Sequence, residues 1–405
     1  MFMRQIWQKM LCELDSREIL VLVGPRQVGK STTIKWLLEN VKSDNCAYFD
    51  FTSPRDMQIF DTDDYIKIVN SLKIRGLDLR KRVYIAIDEI QYLQSLPRAV
   101  KYLFDNFDIK FLLTGSSSYY LKNHFNESLA GRKIVYDLLP LSFREFLQFK
   151  KVKVNLPKIS FNDVSFSFDE TSYELLNSYY DEYVEFGGFP AVVLEPAAER
   201  KRKLIEEIYS SYINLDVKSL ADFRNMKELR QLIVLLAERV GNRINVDDLS
   251  SVLGCSRVTI NSYLEFLEQT YLIKMIPIYS GNKGVSGRKQ KKLYFIDTGI
   301  AGCNADLSGG QKFENTLCHQ LSLLGELTYF NDRDGEIDFI LSDYNIDKTT
   351  GKNEGVIALE AKQSPTKRYW GPLKTRSSKL EITKFGLVGQ RKVAKYHDYL
   401  WGGLV

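Results

Sequence analysis

The sequence predicts an α/β protein: a parallel sheet covered by helices at the amino end, then a helical region, then a smaller second α/β region. Three observations carry this. From Glu18 to about Gln148, short apolar strands alternate with helical stretches. The apolar strand Ile19–Val23 runs straight into Gly24-Pro25-Arg26-Gln27-Val28-Gly29-Lys30-Ser31, and a helix-forming stretch, Thr32 to Asn40, follows. A later apolar strand, Val83–Ile87, ends in two acids, Asp88 and Glu89.

At 405 residues the chain exceeds one compact core and suggests two to four domains, divided here as 1–150, 151–210, 211–300 and 301–405. An apolar share of 44% with 26% charged residues is that of an ordinary globular protein. No window approaches the roughly 20 apolar residues of a membrane span. Met1 to Leu14 sets Phe2, Ile6, Met10 and Leu14 at helical spacing between Arg4, Lys9 and Glu13, an amphipathic helix rather than a signal peptide. Five scattered cysteines without a C-x-x-C pair argue against a disulfide framework or zinc site and fit a reducing cytoplasm. The net charge of +5 permits an anionic partner without requiring one.

The first loop is a P-loop pattern in its proper strand–loop–helix context. Its glycines let backbone N–H groups curl around phosphate oxygens, Lys30 brings a point charge to the β/γ-phosphates, and the Ser31 hydroxyl suits Mg²⁺. Gly24, Arg26, Gln27, Val28, Gly29, Lys30, Ser31 and Thr32 are therefore the expected nucleotide contacts, with ATP and Mg²⁺ as ligands. Further strands are expected at Cys46–Phe51, Lys110–Thr114 and Ile134–Leu138. Asp88 is expected to hold Mg²⁺ through its water shell, and Glu89 to polarise the attacking water. Ser116, with Thr114 as second choice, is the expected γ-phosphate sensor, and Arg132 the expected guanidinium, in cis or toward a neighbouring subunit. A surface salt bridge is the competing reading for Arg132.

Together "LVGPRQVGKST…VYIAIDEIQ…LLTGSSS…LAGR…LLPLSFREF" resembles AAA+-class prokaryotic ATPases close to the signal-transducing P-loop branch. The segments Pro140 to Phe146 and Gly187 to Val193 look like characteristic stretches of that family. The resemblance spans nearly the whole chain and implies a carboxy-terminal domain of unknown function with winged-helix and nuclease-like parts.

Val246 to Leu264 reads as helix, turn, helix, with Asp247 capping the first helix, Gly254 in the turn and Ser256 capping the second. Val258, Tyr263, Leu264 and Leu267 are expected in the core. Arg257, Thr259, Asn261 and Ser262 are then left for a DNA groove, with Lys283, Arg288, Lys289, Lys291 and Lys292 as a wing on phosphates. Two structural alternatives stand beside this: a solvated charged loop, and a helical module packed as a lid or for a protein partner.

Beyond Phe313–Leu324, a helix, strands are expected at Leu327–Asn331, Glu336–Ser342 and Gly355–Ala361. Period-2 geometry sets Glu336 with Asp338, and Glu360 with Lys362. Glu314, Asp338 and Glu360-x-Lys362 resemble a PD-(D/E)xK nuclease core, with Asp338 and Glu360 as Mg²⁺ ligands. The alternative is an inactive relic whose acids pair with Lys362 or Arg333. No nucleophile–base pair supports a protease or glycosidase. The expected fold class is thus a P-loop NTPase with an additional-strand parallel sheet, followed by a helical/winged-helix domain and a restriction-endonuclease-like α/β domain. The expected function is Mg²⁺-dependent ATP hydrolysis that drives or switches DNA engagement by the winged helix, with metal-dependent nuclease activity as an added expectation. A slow ATP-sensing regulatory or scaffold switch that binds a protein or DNA partner without nuclease activity is the alternative, and a homo-oligomer or a protein partner is expected beside ATP and DNA.

Overall fold

The computed structural model describes residues 2–116, 129, 131–153, 170–217, 226–279, 290–343, 355–393 and 398–405. The chain divides into two compact units.

The first unit comprises Met1–Leu139, Ser210–Asp222 and Gln269–Tyr271. Its sheet holds β1 (Ile19–Val23), β2 (Cys46–Asp50), β3 (Val83–Asp88), β4 (Ile109–Gly115) and β5 (Lys133–Asp137), all parallel, in the order β2-β3-β4-β1-β5. The strand β4 lies between the P-loop strand and the acid-ended strand, as the additional-strand expectation requires. Strands β1, β3 and β4 are buried along their whole length. That is why they read as continuous apolar runs rather than alternating ones. Helices α1 (Gln5–Cys12), α2 (Lys30–Glu39), α3 (Pro54–Phe60), α4 (Tyr65–Ile74) and α5 (Leu96–Asn106) complete the unit. The segment after residue 209 joins it through Tyr212, whose hydroxyl lies 2.8 Å from that of Thr270, and Tyr271 bonds Asp137.

The second unit comprises Pro140–Tyr209, Phe223–Glu268 and Leu272–Val405. Helix α6 (Phe143–Phe149) starts from a capping box, Ser142 with Glu145, legible in the sequence as S-x-x-E. Helices α7 (Glu170–Phe186), α8 (Pro190–Leu194), α9 (Ala198–Ser211), α10 (Met226–Glu238), α11 (Val246–Leu253) and α12 (Arg257–Gln269) follow. An antiparallel ribbon of β6 (Ile273–Ile276) and β7 (Lys292–Phe295) comes next, then α13 (Thr298–Asn304) and α14 (Gly309–Ser322). A mixed sheet in the order β12-β11-β10-β9-β8 ends the chain, with α15 (Trp370–Lys379) between β10 and β11 in sequence. Its members are β8 (Glu326–Asp332), β9 (Gly335–Ser342), β10 (Val356–Lys362), β11 (Lys384–Gly389) and β12 (Leu400–Trp401).

The four-domain division from sequence does not describe this grouping. Within the second unit, the helical and carboxy-terminal segments share a buried, hydrogen-bonded core. The Asn315 side chain brackets the Phe295 backbone, Tyr180 bonds Gln320, and Gln320 bonds the Gly402 carbonyl. The turn Gly187–Pro190 belongs to the same core. Gly188 donates to Asp297 at 2.7 Å, and a Cβ there would lie 2.5 Å from the Leu141 carbonyl oxygen.

Two expectations about the helix–turn–helix need correction. Asn245, not Asp247, caps α11, accepting from the Asp247 amide. Val258 is 79% exposed, and Ile260 fills the core position in its place. Ser256 does cap α12, accepting from the Thr259 amide, and Gly254 ends α11 in the left-handed region. Among the described residues, no helix is long and apolar enough to cross a membrane.

Candidate nucleotide-binding site

The parallel sheet places the P-loop, Asp88, Glu89 and Ser116 at one edge, the carboxyl ends of β1, β3 and β4. Open parallel sheets bind ligands at this edge. The loop's shape depends on Gly24, whose φ is +150°. A Cβ at this position would lie 2.0 Å from the Leu138 carbonyl oxygen, so no other residue fits without moving β5. The loop then feeds the amino terminus of α2, where unpaired N–H groups and the helix dipole favour an anion.

Lys30 is buried, and its ammonium donates to the carbonyls of Gly24 and Pro25 at 2.9 and 2.8 Å. Burial pulls its pKa down, opposed by Glu89 and Asp216. Ser31 is half-buried at the first turn of α2, while Gln27 and Thr32 are exposed. Both oxygens of Asp88 accept hydrogen bonds, from Tyr48 at 2.8 Å and from Thr114. Desolvation, then Asp88, holds the Tyr48 phenol well above its usual range, so it stays a donor. Thr114 also accepts from the Glu89 amide at 3.1 Å. Glu89 itself has φ +56°, a rare backbone for a non-glycine residue, and its carboxylate accepts from Gln91. The Ser116 hydroxyl is buried without a hydrogen-bond partner, at the place the sensor expectation assigns it.

Arg132 is not brought to this site. It precedes β5, gives its carbonyl to the Ile19 amide at 2.8 Å and pairs with Asp105 at 3.1 Å. That is the amino edge of the sheet. Four residues of β1 at ~3.3 Å each put it roughly 13 Å from the P-loop end. A role in cis is therefore withdrawn.

Sequence reading missed the supports. Arg4, expected on a polar helix face, is buried and donates to the carbonyls of Val28 and Leu139, both at 2.8 Å. Trp7 donates to the Thr33 hydroxyl at 2.8 Å and stacks on Trp36 with centroids 4.3 Å apart. The amino-terminal helix thus clamps the loop and α2. Asp216 was also missed: it pairs with Arg26 at 2.8 Å. Nothing local in the sequence marks a partner 190 residues away.

The second constellation, in the carboxy-terminal sheet, does assemble. Glu314, Glu336, Asp338, Glu360 and Lys362 converge, but three cations meet the acids. Lys292, only 3% exposed, lies 2.9 Å from Glu314 and 3.5 Å from Asp338, and it also pairs with Glu336. Lys362 pairs with Asp338 and Glu360, and Arg376 with Glu360 at 2.8 Å. Burial works to lower the Lys292 pKa, but Asp338, Glu314 and Glu336 outweigh it and hold it well above its ordinary value. Among the described residues, no group of three or more acids, histidines or cysteines is arranged to hold a metal. Ammonium and guanidinium groups thus lie against Asp338 and Glu360, the two acids expected as metal ligands.

Of the expected DNA contacts, Arg257 is exposed and paired with Asp247, Asn261 is exposed and Thr259 half-buried. Lys283, Arg288 and Lys289 lie outside the described residues, and Lys292 is buried in the acid cluster rather than on a wing.

Residues 16–147 match the family model of an AAA domain, and residues 177–311 match that of a domain of unknown function, DUF8612. An uncharacterised protein of Haemophilus influenzae is 26% identical over 72% of this chain and 70% of its own length. An uncharacterised protein of Methanocaldococcus jannaschii is 28% identical over 81% of this chain and 73% of its own. A Walker-type ATPase of Pyrococcus abyssi superposes with a TM-score of 0.46 at 16% identity, over 75% of this chain and 96% of that one. The domain match and the five-stranded parallel sheet agree: the first unit has a P-loop ATPase fold of the AAA type.

Proposed function

We propose that this chain binds ATP with Mg²⁺ at the P-loop, hydrolyses it, and uses the nucleotide state to switch how its second unit engages a partner. The single observation that carries this is the shared sheet edge, where the amides entering α2, Lys30, Asp88 and Glu89 stand together. The residues fit the group: Gly29, at φ +100° with open space where a Cβ would stand, leads into α2, and the acids face an ammonium. Bound ATP and Mg²⁺ supply the phosphoryl group to be transferred and the ion that offsets its charge. Gly24 and the residues from Arg26 to Thr32 hold the phosphates through main-chain N–H groups, and Lys30 adds its charge. Ser31 and Asp88 hold the ion. Glu89 orients the water, held in its unusual backbone by the Thr114 bond to its amide, and Ser116 offers a hydroxyl toward the γ-phosphate. Arg132 could act only toward a neighbouring copy.

For the second unit, the sequence favours DNA through α12 and the basic stretch after residue 282. A specific observation favours a protein partner: Val252 and Val258 are exposed on the helix–turn–helix, at 57% and 79%. The span 246–269 also carries four acids (Asp247, Asp248, Glu265, Glu268) against one base, Arg257, which suits phosphates poorly. The cation-filled acid cluster favours a reading without metal-dependent cleavage.

Phosphate release under Mg·ATP, with and without duplex DNA, tests the proposal. Lys30→Ala should abolish binding, and Glu89→Gln should bind but stall. Normal turnover by Glu89→Gln would remove Glu89 from its role, and no saturable ATP binding by the folded wild type would end the reading. Turnover indifferent to DNA would leave the protein-partner reading.

A further inference from the structure

Arg26, in the P-loop, makes a contact its motif does not require. Its Nε–H donates to Asp216 Oδ2 at 2.8 Å, and Asp216 lies 190 positions later in the π-helical turn Tyr212–Val217. Asp216 is buried and Arg26 half-buried, their side chains 3% and 13% exposed. The other carboxylate oxygen, Oδ1, is buried without a hydrogen-bond partner. Buried carboxylates normally satisfy both oxygens, and an orphaned one is a cost the fold tolerates for a reason. Asp216 also lies within electrostatic reach of Lys30. A loop shaped to attract an anion therefore holds one of the chain's own.

We propose that Asp216 is a further residue of the nucleotide site, a positioning residue that holds Arg26 until a nucleotide phosphate takes the guanidinium in exchange. This rests on the ATP reading above. Binding must then break the Arg26–Asp216 pair, so Asp216 lowers the apparent nucleotide affinity. Once Arg26 is engaged by phosphate, the carboxylate faces like charge and loses its partner, and the turn Tyr212–Val217 loosens. The nucleotide thereby acts on the segment that joins α9 to α10. No covalent bond changes in this exchange.

The test uses the full chain, with Mg·ATP binding followed by calorimetry and backbone hydrogen exchange followed across residues 212–217. Asp216→Asn should bind Mg·ATP about tenfold more tightly than wild type, a gain of about 1.4 kcal/mol. Asp216→Glu should bind like wild type. In the wild type, Mg·ATP should speed exchange across 212–217, and in Asp216→Asn exchange should be fast beforehand. A merely structural Asp216 predicts equal or weaker binding by Asp216→Asn, and either result overturns the proposal while leaving the ATP reading intact. Unchanged exchange in the wild type on adding Mg·ATP overturns it as well. Should Asp216→Asn fail to fold, Arg26→Gln replaces it: without nucleotide, its 212–217 amides should exchange as fast as in ATP-bound wild type, and slow exchange overturns the proposal. Absence of Mg·ATP binding by folded wild type overturns both readings together.

Discussion

Replacing Lys292 with methionine keeps the length of the side chain and removes its charge. In the structure the Lys292 nitrogen lies 2.9 Å from a Glu314 oxygen and 3.5 Å from an Asp338 oxygen, so those two oxygens are at most about 6.4 Å apart. At an effective dielectric near 20, two unit charges at that distance repel by about 2.6 kcal/mol. Glu336 adds a third acid, partly relieved by solvent. Removing the most buried ammonium among these three acids, of which Asp338 keeps a second one in Lys362, should therefore cost about 3–5 kcal/mol, the range for breaking a buried ion pair on one side. Scanning calorimetry should show the transition of the second unit lowered by roughly 6–10 °C. The deficit should shrink on going from pH 7 to pH 5. Without the ammonium the folded acids titrate higher than in the unfolded chain, so lower pH favours the folded form. Glu336→Gln added to Lys292→Met should recover part of the loss. Mn²⁺ or Ca²⁺ should raise the transition of Lys292→Met and leave wild type unchanged. A variant as stable as wild type, or a wild type stabilised by Mn²⁺ in a manner that Glu314→Gln abolishes, would refute the argument.

Three further predictions follow from the geometry. Arg4→Ala removes two hydrogen bonds from the carbonyls of Val28 and Leu139 and should weaken Mg·ATP binding several-fold while lowering stability by about 1–3 kcal/mol, read by calorimetry and urea unfolding. Gly24→Ala should be far more damaging than Gly254→Ala, because only the first meets backbone, at 2.0 Å; circular dichroism melts of the two variants compare them. His319 is buried, and desolvation, opposed by the backbone at Leu141 and Pro140, pushes its pKa down to about 4 from 6.5. The folded form then binds fewer protons than the unfolded one between those pH values, so stability falls as pH drops from 6.5 to 4, by about 3 kcal/mol in total. Asp297, raised by burial to about 6, works in the opposite direction over nearly the same window. His319→Leu should therefore become more stable relative to wild type as pH falls, measured as the difference between the two urea-unfolding free energies. A pH-independent difference would refute the assignment.

The sheet of the first unit was legible because its central strands β1, β3 and β4 are buried along their whole length and the loops that follow them carry their own chemistry. Gly24–Ser31 and Asp88-Glu89 announce themselves locally, and the resemblance to AAA+ proteins agreed with them. Arg132 was misplaced because a parallel strand has two ends, and a residue beside it in sequence does not declare which edge it serves. Arg4, Trp7 and Asp216 went unread because their meaning lies in partners 24, 26 and 190 residues away. Val258 was assigned inward because helical periodicity fixes a spacing but not its phase, and Ile260 took the buried phase. The carboxylates of the last sheet were correctly grouped by pleat. Their charge balance was not, since Lys292 arrives from a different strand pair and looked like one more base in a solvated run.

The amino-terminal clamp bears on how this protein can be dissected. The AAA match begins at residue 16 and stops at 147, yet the carbonyls shaping the loop are gripped from position 4, and the guanidinium beside it is gripped from position 216. A fragment trimmed to the homology boundaries would keep every signature residue and lose both hands that hold them. Excision experiments should retain the first dozen residues and supply the distal turn in trans, or the isolated piece will misreport the whole.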